Sequence, residues 1–143
     1  MQNYFSIPNA AIFDHELIDS GHKAIVDAMN EIVKAFNDDP GSECLPLLRR
    51  LDDAMRSHFA EEEAIMETVN YYDVVVHKDQ HQDILGKLNK IIESYIAGDS
   101  NCVEQVHNLF HIAVTDLMQA DLPLKSFLEG IGYIQKQNRE PVS

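Results

Sequence analysis

The feature that most constrains this chain is a helical spacing of apolar residues in four successive segments, each with histidine on its apolar face. Apolar side chains recur at steps of three and four, and strand-like alternation is not sustained anywhere. The segments begin near Ser20, Ser42, Val74 and Cys102, with turn-forming residues between them. Because short connections favour oppositely directed neighbours, the pattern predicts an all-α fold, an antiparallel up-down-up-down four-helix bundle.

The 143 residues are enough for one domain, and no composition shift marks a second. We expect an N-terminal arm over residues 1–19, the bundle over 20–128 and a polar C-terminal tail over 129–143. Pro123 is expected to kink or restart the fourth helix, with Asp121 as the cap of a short segment from Leu124 to Leu128.

Composition excludes several classes of partner. The formal net charge is −13, with 24 acidic residues against 11 Lys and Arg, and such a surface repels nucleic-acid phosphates and anionic membranes. Neither a signal sequence nor an apolar run long enough to cross a membrane is evident, which predicts a cytoplasmic protein. Cys44 and Cys102 are interpreted as two reduced thiols. Each lies near a predicted helix start, so a redox role stays open.

Histidine and carboxylate spacing points to a metal site. Residues four apart share a helix face, so His58 with Glu62, and His77 with His81, can each reach one metal. His22 and His111 lie on the inner stripes of the first and fourth helices. Any one of these histidines alone is more simply a hydrogen-bonded core residue. Together they are costly to bury unless a metal satisfies them.

The number of candidate ligands exceeds the four of a tetrahedral zinc site, so two metals fit better than one. Imidazoles with carboxylates suit iron, and the shortage of thiolates gives no support to copper(I) or an iron–sulfur cluster. Ligand type alone leaves manganese and zinc open.

Four motifs in order resemble the hemerythrin family, particularly bacterial hemerythrins. The resemblance spans about residues 13–128. The motifs are Ile18-Asp19-Ser20-Gly21-His22, then His58-Phe59-Ala60-Glu61-Glu62 with Met66 and Tyr71 following, then His77-Lys78-Asp79-Gln80-His81, and finally His111-Ile112-Ala113-Val114-Thr115-Asp116.

The resemblance implies two non-haem iron ions joined by an oxo or hydroxo bridge, with dioxygen as the ligand of the iron that has two histidines. His77, His81 and His111 would hold one iron, and His22 and His58 the other. Glu62 and Asp116 would bridge them. Ile25, Phe59 and Ile112 are candidates for an apolar oxygen pocket, although ordinary core packing explains them equally well.

Two carboxylates compete for the second bridging position. Asp121 and the residues that follow it also resemble the stretch after the family's bridging aspartate. An unbroken helix, however, would place Asp121 about 15 Å from His111, so Asp116 is preferred. The family's usual tryptophans are missing, and His107 stands where one of them is expected. His107 could be a surplus ligand, a hydrogen-bond donor to a ligand or a core residue, and His15 is interpreted as surface or pocket rim.

The function implied is reversible binding of dioxygen, for sensing, storage or carriage, by a protein that is not an enzyme. The alternative is an oxidase, peroxidase-type or nitric-oxide-handling activity at the same di-iron site. A metal-free interaction bundle would leave the inward histidines unexplained. A signalling output domain, fused or separate, is a possible partner, and the sequence does not predict an oligomeric state.

Overall fold

The computed structural model describes residues 4–39, 41, 43–98 and 101–135, without the side chains of residues 116–118. This part of the chain is all helical. One 3₁₀ turn, Asn9–Ala11, precedes four long helices. These are α1 (Glu16–Asp38), α2 (Leu45–Thr68), α3 (Val74–Ile96) and α4 (Cys102–Gly130).

Local chemistry explains where the helices begin and end. Helix α1 begins four residues earlier than expected because the ring of His15 accepts a hydrogen bond from the backbone N–H of Ile18 and caps the helix. Pro46 opens α2, where its missing N–H costs nothing. Asn70, with φ +54°, and Gly98, with φ +102°, take the left-handed conformation that ends α2 and α3.

Helix α4 continues through Pro123, so the restart expected there does not occur. Proline leaves the carbonyl four residues earlier without its helical donor. Here Pro123 and Gln119 both lie on the exposed face of α4, so water can satisfy that carbonyl. Asp121 therefore lies inside a continuous helix and does not cap a new one.

Two apolar clusters form the core. Helix α1 packs on α2 and α4, α2 on α3, and α3 on α4. The larger cluster includes Met29, Leu48 and Leu88 from three of these helices. The smaller one, which includes Phe13 and Leu128, lies towards the opposite end. Along each helix the inward polar residues fall between the two clusters.

The segment before α1 packs against the helices. Asn30 accepts a hydrogen bond from the backbone N–H of Phe5 at 2.7 Å and donates one to its carbonyl oxygen at 3.1 Å. The Phe5 ring stacks on Phe110 with a centroid distance of 4.3 Å. The arm, defined here as residues 4–13, is thus a fixed part of the fold.

The start of the expected tail also packs on the helices. Ile134 is buried in the smaller apolar cluster, and Tyr133 stacks on His15. Residues 136–143 of that tail lie outside the described part of the chain. None of the helices among the described residues has the length and apolarity needed to cross a membrane.

Candidate metal centre

Four imidazoles and two carboxylates meet between the two apolar clusters, with at least one of them from each long helix. They are His22 from α1, His58 and Glu62 from α2, His77 and His81 from α3, and Asp121 from α4. All are buried except His22, which is partly buried. Such a set of polar side chains is costly to bury unless its members satisfy one another or bind an ion.

Glu62 is the centre of this cluster. One of its carboxylate oxygens lies 3.1 Å from Nε2 of His58. The other contacts Nε2 of His77 and lies 3.2 Å from Nε2 of His81. The cluster therefore divides into two three-residue groups that share Glu62, each with ligand atoms within 4.8 Å of one another. One is His22, His58 and Glu62, and the other is Glu62, His77 and His81.

Asp121 faces both groups. Its Oδ1 lies 3.1 Å from Nε2 of His77, and its Oδ2 lies 3.6 Å from Nε2 of His22. The two carboxylate oxygens thus point to one imidazole in each group. This is the arrangement that a carboxylate needs to bridge two metal ions.

The electrostatics of the cluster follow from its contacts. Burial alone would raise the pKa of Glu62, but its close contacts with the imidazoles of His58, His77 and His81 hold it well below its usual value. Burial lowers the pKa of His77, yet the neighbouring carboxylates of Asp121 and Glu62 outweigh that effect and raise it to about 9. The pKa of His22 is also raised, since Asp121 outweighs the effect of burial. Glu62 is therefore ionised, and His22 and His77 hold a proton more firmly than a free imidazole does.

Two imidazoles are oriented by partners on their far side. Nδ1 of His22 lies 3.0 Å from the carbonyl oxygen of Ala11, which can only accept, so this nitrogen donates. Nδ1 of His81 donates to the carboxylate of Glu63 at 2.8 Å. In the neutral ring, each hydrogen bond leaves the Nε2 lone pair directed at the cluster, as in metal sites whose histidines have carboxylate or carbonyl partners. Glu63 was not predicted from the sequence, because a residue next to Glu62 points to a different side of α2 and only the packing of α3 brings His81 to it.

Gly21 allows α1 to approach this centre closely. A Cβ atom added at Gly21 would contact Nδ1 of His58 and would lie 2.9 Å from its Cγ. No larger residue fits there while His58 keeps its position. Nδ1 of His58 is itself buried without a hydrogen-bond partner.

The chemistry of the cluster fits metal ions. Besides Nδ1 of His58, three buried polar atoms of the cluster have no hydrogen bond, namely Nε2 of His81, Oε2 of Glu62 and Oδ1 of Asp121. Buried polar atoms are rarely left in this state in folded proteins. All three face the interior of the cluster, where one or two cations would satisfy them. Imidazole and carboxylate donors are those that suit iron, zinc or manganese.

The structure brings together five of the seven predicted ligands and adds Asp121. It does not bring His111 to the cluster, because that imidazole is exposed on α4. The side chain of Asp116 lies outside the described part. Ten residues of continuous helix span about 15 Å, so His111 and Asp121 cannot serve one centre. Asp116 was preferred to Asp121 as the second bridging carboxylate because His111 was expected to be a metal ligand. An exposed His111 removes that reason.

A small apolar cavity, open to solvent on one side, adjoins His22 and Asp121. Its volume is about 80 Å³, well above the roughly 10–15 Å³ that a single water needs. Ile7 and Pro8 of the arm form part of its wall, and Ile25 of α1 lines it as well.

The other two predicted pocket residues lie elsewhere. Phe59 stacks flat on the ring of His81 with a centroid distance of 4.0 Å. Ile112 lines a different groove, between α3 and α4, with Lys87 and Lys90.

The roles of the two remaining histidines follow from their contacts. The His107 ring packs against Phe5 with a centroid distance of 4.5 Å, and its Nε2 is buried without a hydrogen bond. His107 thus supports the arm and is not in the cluster. His15 caps α1 and stacks on Tyr133.

The fold and the cluster define a helical metal-binding protein with its centre built from all four long helices. The family model of the Hemerythrin HHE cation binding domain matches residues 14–120. Myohemerythrin-1 of Phascolopsis gouldii is 31% identical over 90 residues, which are 59% of this chain and 71% of that protein. Myohemerythrin of Sipunculus nudus is also 31% identical over 90 residues, 59% of this chain and 70% of that protein. No solved structure matches the chain significantly.

The chain therefore belongs to the hemerythrin family, and the resemblance inferred from its motifs is confirmed.

Proposed function

We propose that the protein binds dioxygen reversibly at a pair of iron ions, for sensing, storage or carriage. The observation that carries this proposal is the pair of histidine groups that share Glu62 and face Asp121, next to an apolar cavity. Ferrous ions in such a site would supply the electrons and the open coordination position that reversible oxygen binding requires.

The proposed ligand set differs from the one implied by the sequence motifs. His22 and His58 would hold one iron, and His77 and His81 the other, with Glu62 and Asp121 shared between them. The exposed position of His111 argues against its inclusion. Asp116 stays a prediction from its motif.

The surrounding residues prepare this site for an apolar ligand. Ala11 and Glu63 fix the rings of His22 and His81, so that two nitrogens are directed before a metal arrives. Ile25, Val26 and Met29 line the cavity and keep its wall apolar. Exclusion of water and proton donors favours release of the ligand as dioxygen over its loss as peroxide.

We further propose that the four helices form the antiparallel up-down-up-down bundle expected from their spacing. Contacts between neighbouring helices support this topology, because residue numbers rise along one helix as they fall along the next. Arg50 pairs with Glu31, and farther along α2, His58 packs against His22, nearer the start of α1. Each helix would then present its polar residues at the same level.

Iron analysis combined with an oxygenation cycle tests the proposed function. The protein should contain two irons per chain, and the reduced protein should gain a visible absorption band with oxygen that disappears when oxygen is removed. Absence of iron after anaerobic loading with a ferrous salt would refute the proposal. Rapid one-way oxidation with release of peroxide would favour the alternative, a di-iron oxidase. Each of the two described groups has two imidazoles, and this equal number is the observation that favours the oxidase as the second candidate function.

A further inference from the structure

The two cysteines lie together at the end of the molecule far from the histidine cluster. Cys44 directly precedes α2 and Cys102 is the first residue of α4. Both side chains are buried in the larger apolar cluster, and the Cys102 thiol is hydrogen-bonded to that of Cys44. Along α2, Cys44 lies about 27 Å from Glu62, because the helix rises about 1.5 Å per residue.

The backbone around both sulfur atoms is well defined by hydrogen bonds. The N–H of Cys44 donates to the hydroxyl of Tyr95 at 2.9 Å, and that hydroxyl donates to the carboxylate of Glu43 at 2.9 Å. The sulfur of Cys102 accepts from the backbone N–H of Val103, at the start of α4. The two thiols are therefore held towards each other at the starts of two helices, α2 and α4.

We propose that Cys44 and Cys102 are a modification site that forms an intramolecular disulfide when the protein meets a two-electron oxidant such as hydrogen peroxide. One thiolate attacks peroxide, giving a sulfenic acid and a hydroxide ion that takes up a proton to form water. The second thiol then attacks the sulfenic sulfur, and a second water leaves. The two sulfurs are oxidised, the peroxide is reduced, and the bond formed is about 2.05 Å long.

Burial determines how readily this reaction starts. Burial and the neighbouring Cys44 thiol raise the pKa of the Cys102 thiol to about 12, so it is protonated at neutral pH. Since the thiolate is the nucleophile, we expect the two thiols to resist brief exposure to peroxide and to react only when the exposure is sustained. The bond would join the start of α4 to the connection between α1 and α2, closing a long loop of chain that includes α2 and α3.

Thiol counting on the full protein, with its metal content as isolated, tests the proposal. After treatment with hydrogen peroxide, or with diamide as an oxidant that spares iron, both thiols should be lost together under denaturing conditions. Peptide mapping should find residues 44 and 102 joined in monomeric protein. The cross-link should raise Tm by roughly 5–10 °C. Iron content should not change, which separates this test from that of the proposed function.

The variants Cys44→Ser and Cys102→Ser are matched controls, since each should keep one thiol and gain no Tm on oxidation. The wild-type count does not depend on how well these variants fold. Three results would overturn the proposal: two thiols that persist after prolonged oxidation, separate addition of oxygen to each sulfur, or cross-linking only between chains.

Discussion

At the residue scale, Gly21 shows how closely α1 must approach the proposed metal centre. Substitution Gly21→Ala places a Cβ against the ring of His58, so that ring or the whole of α1 must move. We expect reduced iron loading and a loss of about 1–3 kcal/mol in the free energy of unfolding, as for other overpacked sites. Iron analysis and chemical denaturation measure the two effects.

Gly86→Ala is the matched control, because an added Cβ there meets nothing within 4 Å. It should leave iron loading unchanged and stabilise α3 by up to about 1 kcal/mol through helix propensity. Equal iron loading in the two variants would show that the position of His58 does not matter for metal binding.

The proposed ligand set separates two histidines that the sequence motifs treat alike. His77→Ala removes a buried partner of both carboxylates, so we expect loss of iron and of several kcal/mol of stability. His111→Ala changes an exposed side chain and should cost less than about 0.5 kcal/mol, with iron retained. Metal content and Tm of the two variants check this. Loss of iron from His111→Ala would restore the ligand set implied by the motifs.

His107 should make the attachment of the arm depend on pH. Burial and the neighbouring His111 lower the pKa of His107 below its ordinary value of 6.5. The stability that its neutral ring contributes is therefore complete above pH 6.5 and is lost as the pH falls below that value. The protection factor of the Phe5 N–H, which is the intrinsic exchange rate relative to the measured rate at the same pH, should fall on acidification. The same fall in His107→Phe would contradict this assignment.

Individual site residues differed in how far the sequence could predict them. His58, Glu62, His77 and His81 follow from i, i+4 pairs on apolar faces, which fix both helix and direction. On α4 the motif His-x-x-x-x-Asp fits His111 and Asp116, while the stretch after Asp121 fits the same family pattern. Only packing against α1 and α3 distinguishes these registers, and the sequence carries no local record of that packing.

At the scale of elements, the arm closes one side of the apolar cavity, and Asn30 holds it with two hydrogen bonds. Asn30→Ala should detach the arm at a local cost of about 1–3 kcal/mol without substituting any residue that lines the cavity. We expect faster exchange of the arm amides and faster irreversible oxidation of the iron-loaded protein in air.

Asn89→Ala controls for loss of a helical asparagine, because Asn89 makes only an exposed hydrogen bond to Glu93 among the contacts described. Its oxidation rate, followed by visible absorption, should equal that of the unmodified protein. An unchanged rate in Asn30→Ala would mean that the arm does not control access to the cavity.

Helical periodicity predicted the four long helices, and the bounds differ from the expected ones by a few residues. The extension of α1 to Glu16 depends on a cap by a histidine, which is not a usual capping residue. The passage of α4 through Pro123 depends on that face being exposed, which a single helix cannot reveal. The packing of the arm and of Ile134 depends on tertiary contacts, which the sequence pattern does not show. Both ends were therefore expected to lie outside the bundle core.

At the scale of the whole molecule, metal removal should destabilise the protein in a pH-dependent way. In the iron-free chain, Asp121 and Glu62 raise the pKa of His77 to about 9, whereas an unfolded histidine titrates near 6.5. The stabilisation from this pairing is full below pH 6.5 and is lost as the pH rises towards about 9.

Urea denaturation of the chelator-treated protein, at pH values on either side of this interval, measures the effect. We expect a decrease of roughly 1–3 kcal/mol across it. Iron-loaded protein should lack the decrease, because metal replaces the proton on His77. A flat profile without iron would show that the carboxylates do not hold that proton.

The histidine cluster lies between the two apolar clusters along every long helix. Without a cation, this hydrophilic layer interrupts the core, so the two ends of the molecule can melt independently. Bound iron would be coordinated by residues of all four helices in this layer, so the domain would unfold as one cooperative unit. Calorimetry would then show two overlapping transitions in the chelated protein and a single sharp one after reconstitution.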